Sequence, residues 1–468
     1  MTTTITLATL IPIIPILVLS GAAVLLMLLT AFFRIHVLAL LLGLSATLIA
    51  MASMSLVGQN LPAEVTPLLV VDGATHFYWS MILLSTLVCI GISYGYVRNA
   101  PSFREEWYLL LLIAACGGLV LAASSHMASL FIGLELMSVP LYGLAAFSLK
   151  NKRSLEAGIK YLVLSATASA FLLFGIAMLY AESGTLMLTQ WLDLPVGSPL
   201  VILGSAMILI GLGFKLSWVP FHTWTPDVYQ GAPMPVTAFL ATASKVAVIA
   251  VLVRLFVALP VWQDNNFVLL LALIAGASIL FGNLLAISQT SLKRLLAYSS
   301  IAHFGYLMIA LTIVAHHGSR SVWVYLATYV IASLGAFAVL TSVTALKDDT
   351  NGDRFEALKG LYQRNPLLAV ALAVCLISMA GVPLTAGFIG KFALFASGVA
   401  TGQWILLLLV VAGSAIGIYY YLRAVSILFQ PATGTLSERV NVPTFNGILI
   451  AALTFLTLLI GVWPDLLL

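Results

Sequence analysis

Long apolar runs, broken at intervals by clusters of charged residues, Gly, Pro and Asn, dominate the chain from one end to the other. A helix needs about 20 apolar residues to cross a hydrocarbon layer of ~30 Å. Fourteen runs suit that length, at approximately 7–30, 36–57, 74–97, 107–122, 125–148, 155–182, 199–222, 233–257, 266–288, 295–315, 321–346, 366–398, 403–429 and 444–467. Only Ser124, Ser125 and His126 divide the fourth from the fifth, and joining them would leave thirteen. The pattern predicts an all-α polytopic membrane protein.

Charge placement decides between the two counts, because the cytoplasmic loops of membrane proteins collect Lys and Arg. With fourteen spans, the connections after odd-numbered spans hold most of the 20 basic residues: Arg34, Arg98, Arg104, Lys150, Lys152, Arg153, Lys160, Lys293, Arg294, Lys347, Arg354, Lys359, Arg364, Arg423 and Arg439. The connections after even-numbered spans hold only Arg254 and Arg320, together with Glu64, Asp72, Glu182, Asp193 and Asp264. An odd miscount in mid-chain would scramble this division. The basic loops are therefore expected on the cytoplasmic side and both termini outside.

Composition points the same way. Of 468 residues, 62% are hydrophobic and 8% charged, against roughly 25% charged in a soluble domain. With a mean hydropathy of +1.12, lipid must be the solvent for most of the chain. The net charge of +4 follows from loop topology and needs no nucleic-acid partner. The first run, about Leu7 to Phe33, has no basic residue before it and no small-residue cleavage site, so it reads as a retained helix. Cys89, Cys116 and Cys375 lie far apart in apolar runs and read as small buried hydrophobes, with no metal-site spacing. His316 and His317 read as solvated residues at a helix end. Trp79, Trp107, Trp191, Trp218, Trp224, Trp323, Trp404 and Trp463 fall near run ends and read as interfacial belts.

Three lysines, Lys215, Lys245 and Lys391, belong to no loop, and Glu135 alone among the acids is central in a span. A charge at the bilayer centre costs about 2.5–3.5 kcal/mol on insertion scales, so buried charges are rare and usually line polar paths. The ordinary alternative is snorkelling or helix pairing, which suits a single lysine near a helix end better than four charges. Lys215 lies in GLGFKLSWVPFH, between Gly213 and Pro220, and Lys391 follows GVPLTAGFIG, which contains Gly381, Pro383 and Gly387. Interrupted membrane helices mark ion paths in transporters and recur in inverted repeats. The expected breaks fall in spans seven and twelve, as in two inverted five-helix repeats of spans 4–8 and 9–13. The expected organisation is three N-terminal helices (1–98), a first unit (107–257), a second inverted unit (266–429) and a C-terminal helix (444–468).

Desolvation favours a neutral lysine and a nearby carboxylate favours a charged one, so a Lys/Glu pair can switch. Glu135, Lys215 and Lys245 would then exchange protons in the first unit, and Lys391 would act as the terminal site of the second. His303 and His222 are candidate relays because imidazole titrates near neutrality, although a packed or helix-end histidine explains either one. GLGFK at 211–215 imitates part of a phosphate loop but lacks its spacing. No nucleotide, flavin, haem or metal motif is present.

LFIGLELMSVPLYGL around Glu135, GLGFKLSWVPFHTWTPDVYQGAPMPVTAFLATASK at 211–245, KRLLAYSSIAHFGY at 293–306 and GVPLTAGFIGKF at 381–392 resemble subunit N of bacterial respiratory complex I, in the antiporter-like membrane subunit family. The resemblance runs over essentially the whole chain, and TPDVYQGAP separates it from subunits L and M. Subunit L also continues into a long lateral helix, which this chain, ending at Leu468, is expected to lack. The resemblance implies that Glu135, Lys215, Lys245 and Lys391 match the family's proton-translocating residues. It further implies a bacterial inner membrane with periplasmic termini, neighbouring antiporter-like and small membrane-arm subunits, and a peripheral arm carrying FMN and iron–sulfur clusters that passes electrons from NADH to quinone. The small residues of LVLSATASAFLLFG (163–175) suit contact with a neighbouring subunit or packing within the chain.

Two rival readings use the same helices. A stand-alone cation/proton antiporter should show a carboxylate-rich site, since hard cations want oxygen ligands, whereas the spans offer one carboxylate beside three lysines. A structural membrane-arm anchor without transport leaves the cost of the buried charges unexplained.

Overall fold

A backbone in hydrocarbon must satisfy its own N–H and C=O groups, which is why apolar sequence of span length folds as helix. The computed structural model describes residues 10–59, 61–98, 103–317, 319–344, 352–431 and 442–466. Lys347 and Arg439 lie outside these residues, as do the side chains of His316 and His317. The helices in chain order are α1 (Ile14–Phe32), α2 (His36–Gly58), α3 (Gly73–Arg98), α4 (Arg104–Ala122), α5 (Met127–Ala145), α6 (Lys152–Ser183), α7 (Pro199–Leu216), α8 (Trp224–Gly231), α9 (Met234–Ala241) and α10 (Ala243–Ala258). They continue as α11 (Asn265–Ile287), α12 (Leu292–His317), α13 (Arg320–Thr344), α14 (Phe355–Leu358), α15 (Leu361–Arg364), α16 (Pro366–Ala380), α17 (Ala386–Ala400), α18 (Trp404–Phe429) and α19 (Thr444–Val462). Among the described residues, a short antiparallel hairpin, β1 (Ala63–Thr66) and β2 (Leu69–Val71), is the one sheet in an otherwise largely helical chain. Val65, Val70 and Val71 favour it, and Pro67 turns it.

Among the described residues, 13 helices are long and apolar enough to cross a membrane. The remaining span is made of two half-length helices, α16 and α17. Tyr362, just before α16, packs its ring 5.1 Å from that of Phe429 at the end of α18, so the start of α16 and the end of α18 share one side. The start of α18 is then on the other side, and α16 with α17 must carry the chain across. The division between the fourth and fifth spans is a true break. The hairpin holds it, with Val70 N donating to Ala123 O at 2.9 Å and Ser125 N to Leu68 O at 3.1 Å.

Among the described residues, ion pairs join only connections of the same parity, as a fourteen-span chain requires. After odd-numbered spans, Arg34 pairs with Glu106 at 3.0 Å, and Asp227 takes both Lys160 and Arg294 at 2.9 Å. After even-numbered spans, Arg254 pairs with Asp72 at 3.0 Å and also donates to Thr75 Oγ1 at 2.6 Å.

The chain divides into two compact units. The first comprises Met1–Leu144, Leu162–Lys215 and Thr242–Trp262, and the second comprises Ala145–Tyr161, Leu216–Ala241 and Gln263–Leu468. In the first, α10 is enclosed, with α3 and α4 packed against it. In the second, α13 is buried along its length against α9, α16, α17 and α19. Tryptophan placement departs from the interfacial reading. Trp404 and Trp463 are exposed, but Trp79, Trp107, Trp191, Trp218 and Trp224 are buried. Four of their indole N–H groups find internal acceptors, Trp79 at Leu119 O (2.8 Å), Trp107 at Ser93 Oγ (2.9 Å), Trp191 at Thr185 O (3.0 Å) and Trp218 at Phe304 O (3.1 Å), which removes the need for a headgroup partner.

Glycine sets the approach of α6 to α7. A methyl at Gly204 would lie 2.9 Å from Gly175 O, and one at Gly211 would lie 2.8 Å from Leu172 Cβ. Gly204→Ala should lower the thermal unfolding midpoint in detergent, by an overpacking cost of about 1–3 kcal/mol. Gly95→Ala, where nothing lies within 4 Å, should leave it unchanged or raise it. Equal midpoints for the two variants would contradict the close contact.

Asp227 gives a second test. Burial alone would raise its carboxyl, but hydrogen bonds from Lys160 and Arg294 hold it below the usual carboxylate range. A folded value below the unfolded one stabilises the fold above about pH 4, and the contribution is lost as pH falls through the folded value. Asp227→Asn should therefore lower the midpoint near neutral pH, and the gap to wild type should close on acidification below about pH 4. A gap independent of pH would show that the charge on Asp227 is not what matters.

Candidate functional site

In the first unit, Lys215 occupies the last turn of α7, one residue before the helix ends, and the residue is 3% exposed. The chain turns out of the helix at Ser217, which takes the left-handed conformation (φ 65), and Pro220 follows within the irregular segment. Hydroxyls meet the amine from two helices. Nζ donates to Ser138 Oγ of α5 at 2.7 Å and to Ser165 Oγ of α6 at 2.6 Å. Tyr142 donates to the same Ser165 oxygen at 2.7 Å and sets its ring 5.8 Å from Nζ. One turn along α5 from Ser138, the partly exposed Glu135 accepts from Ser169 Oγ at 2.5 Å. Ser169 is itself one turn along α6 from Ser165. The structure thus gathers Glu135 and Lys215 along one seam of hydroxyls.

Lys245 belongs to the same unit and is wholly buried. The eighth run does not form one helix, since Thr242 (φ −120, ψ −84) separates α9 from α10 and Lys245 stands three residues beyond it. Neither glycine nor proline marks this interruption.

In the second unit, α16 ends in Gly381 at φ 85, whose N–H bonds back to Ile377 O and Ser378 O, a left-handed cap that glycine accepts readily. Pro383 lies in the break and Gly387 opens the first turn of α17, with its N–H held by Ser378 Oγ at 2.9 Å. Lys391 of α17 reaches back across the break and donates to Ala380 O at 2.8 Å. A methyl on Gly381 would lie 2.7 Å from Lys391 Cδ, so this glycine serves both the turn and the lysine. Nζ also lies 5.5 Å from the centre of the Tyr306 ring.

His303 packs edge-on to that ring at 5.9 Å. Its Nδ1 lies 2.7 Å from Tyr325 Oη and its Nε2 3.3 Å from Tyr421 Oη, and Tyr421 is in turn bonded to Ser299. Ser300 bonds Tyr329 Oη at 2.9 Å, and Asn283 links Tyr306 to Tyr420 at 3.0 Å each. A small cavity, with about 10 Å³ of room for the centre of a water molecule, lies among His303, Tyr325, Thr328, Tyr329 and Gly387. That is about one water's worth of space. Both His303 nitrogens are engaged, so a proton placed on either one has a neighbour.

His222 does not join either group. It lies in the irregular segment between α7 and α8, its Nδ1 buried without a hydrogen-bond partner.

Sequence reasoning did not anticipate the oxygen partners of Lys215 and Glu135. Ser138, Ser165 and Ser169 are ordinary small residues in apolar helices, although Glu135 and Ser138 share a face at helical spacing. Asp227 was also overlooked, as was Lys293, which donates to Ala232 O at 2.8 Å and Gln230 O at 3.3 Å at the end of α8. Among the described residues, no three His, Cys, Asp or Glu side chains gather as metal ligands.

Comparison with known proteins matches residues 124–417 to the family described as NADH:quinone oxidoreductase/Mrp antiporter, transmembrane. A chain of respiratory complex I from Thermus thermophilus, solved with bound aureothin, is 36% identical, covers 97% of this chain and 98% of that one, and superposes with a TM-score of 0.84. Two more distant chains share the fold. One, from the membrane-bound sulfane sulfur reductase, an archaeal respiratory membrane complex, is 24% identical over 97% of this chain and 94% of its own, with a TM-score of 0.87. The other, from the Mrp complex of Dietzia sp. DQ12-45-1b, is 20% identical over 99% and 96%, with a TM-score of 0.86. With a family match across the helices that carry Glu135, Lys215, Lys245 and Lys391, and a complex I chain related along almost the whole length, the protein belongs to the NADH:quinone oxidoreductase/Mrp antiporter family of multi-pass membrane subunits.

Proposed function

We propose that this chain is a proton-translocating membrane-arm subunit of an NADH:quinone oxidoreductase, the counterpart of subunit N. It would reside in a bacterial inner membrane with both termini periplasmic. The observation that carries this reading is the enclosure of Lys215, an amine held in a membrane helix by two serine hydroxyls, of which Ser138 stands one helical turn from Glu135. Such a site can hold a proton and release it when the neighbouring carboxylate changes charge. Lys391, seated on a carbonyl at a helix break beside the His303 and tyrosine network, is the corresponding site of the second unit, and Lys245 is the further amine of the path. Electron transfer belongs to partner subunits that carry FMN, iron–sulfur clusters and quinone. This chain contributes proton handling and no redox step. The inverted-repeat organisation, 107–257 against 266–429, is part of the same proposal, supported by the break beside each lysine.

A cation/proton antiporter is the second reading, favoured by the breadth of the family, which includes Mrp antiporters. The spans offer one carboxylate beside three lysines, a poor match for a hard cation that needs several oxygen ligands.

The test is the whole complex reconstituted in vesicles. Lys215→Ala, Lys391→Ala and Glu135→Gln should each reduce NADH-driven proton translocation by about tenfold or more, as loss of a proton-transfer group does, with assembly intact on native gels. Full pumping in the Lys215 and Lys391 variants would sink the proposal. Sodium- or potassium-dependent transport by the isolated chain would favour the antiporter instead. Gly381→Ala should impair pumping as well, since its methyl would occupy the path of the Lys391 side chain. An unimpaired Gly381→Ala complex would mean that the lysine's seat on Ala380 is dispensable.

A further inference from the structure

The two serines that hold Lys215 are equally buried, yet their hydrogen bonds make them chemically unequal. A serine hydroxyl has one proton and two lone pairs. Ser138 accepts from Lys215 and gives its own proton to Leu134 O at 2.6 Å, so that proton is committed to the backbone of α5. Ser165 accepts twice, from Lys215 at 2.6 Å and from Tyr142 at 2.7 Å, and neither bond uses its proton.

The distinction matters only if the lysine changes charge. As an ammonium, Nζ is a donor alone, and both serine oxygens suit it. As an amine it keeps two N–H donors and gains a lone pair, and that lone pair needs a donor because an unmet polar group away from water is costly. Ser165 can supply it by turning its O–H about the Cβ–Oγ bond toward Nζ, with no heavy atom moving and with Tyr142 still donating to its oxygen. Ser138 can do so only by giving up its bond to Leu134 O. Neutral Lys215 would then be held by one donated bond to Ser138 and one accepted from Ser165.

We propose that Ser165 is the positioning residue that holds Lys215 in both of its protonation states, whereas Ser138 holds it by acceptance only. The inference rests on the reading of Lys215 as a proton carrier. It assigns to Tyr142 the task of fixing Ser165, since its donated bond occupies one lone pair and leaves the serine proton free to face the lysine.

The experiment compares Ser165→Ala with Ser138→Ala in the intact complex, measuring proton translocation in vesicles and NADH-dependent quinone reduction in detergent, with Lys215→Ala alongside. Each serine variant removes one bond to the ammonium, so a merely structural role would make them alike. The expected result is a loss of about tenfold in translocation for Ser165→Ala, as for a buried polar group left unmet, with a loss of about threefold or less for Ser138→Ala. Equal losses in the two, or wild-type pumping by Ser165→Ala, would overturn the inference while leaving Lys215 in place if Lys215→Ala is inactive. Wild-type pumping by Lys215→Ala would remove the underlying reading itself. Should Ser165→Ala fail to assemble, Ser165→Cys keeps the side chain's size with a weaker donor. An intermediate loss is then expected, and wild-type pumping would contradict the assignment.

Discussion

An amine carried into hydrocarbon has to find oxygen, and that requirement shapes the interior of this protein more than apolar packing does. Packing among membrane helices is permissive, since lipid tails are as apolar as leucine. The cost of a buried lysine, about 2.5–3.5 kcal/mol even on lenient scales, is not. Each unit meets it differently. Around Lys215 the oxygens come from side chains, serines on α5 and α6 brought close by the glycines that let α6 and α7 touch. Around Lys391 the oxygen comes from the backbone. A helix end leaves carbonyls without intrahelical partners, and interrupting the span between α16 and α17 creates such an end where the lysine can reach it. The broken helix therefore supplies a ligand as well as a bend.

What the sequence made legible follows from this division. Spans, their number and the four charges within them could be read because they depend on composition and on charge asymmetry, both of which survive without coordinates. Gly381 and Pro383 announced their break because backbone conformation is written in residue type. Thr242 announced nothing, since no glycine or proline interrupts α9 and α10 there. The tryptophans misled because position near a run end is shared by interfacial and interior residues, and only the acceptor of the indole N–H tells them apart. Hydroxyl partners were the least visible. A serine in a membrane helix usually bonds its own backbone, as Ser138 does with Leu134 O, and nothing local distinguishes the ones that also receive a lysine.

Charge ties the ends of the helices. Asp227 with Lys160 and Arg294, and Asp72 with Arg254 and Thr75, place their pairs where water can still solvate them. Their contribution is accordingly small per pair and screened by salt. Such ties fix which loops are neighbours.

Helix α6 has a further property. Its 32 residues rise about 48 Å at 1.5 Å per residue, well beyond a hydrocarbon layer of ~30 Å. Tilting of about 20° shortens that projection only slightly, so roughly the first turns, from Lys152 to Lys160, must stand among headgroups and water. One continuous helix therefore passes through three surroundings: aqueous at Glu156, hydroxyl-lined at Ser165, and the outer surface of the chain at Leu173 and Phe174. Tolerance to polar substitution along it is graded by depth and by face, and the same exchange that is neutral at one turn becomes prohibitive two or three turns later.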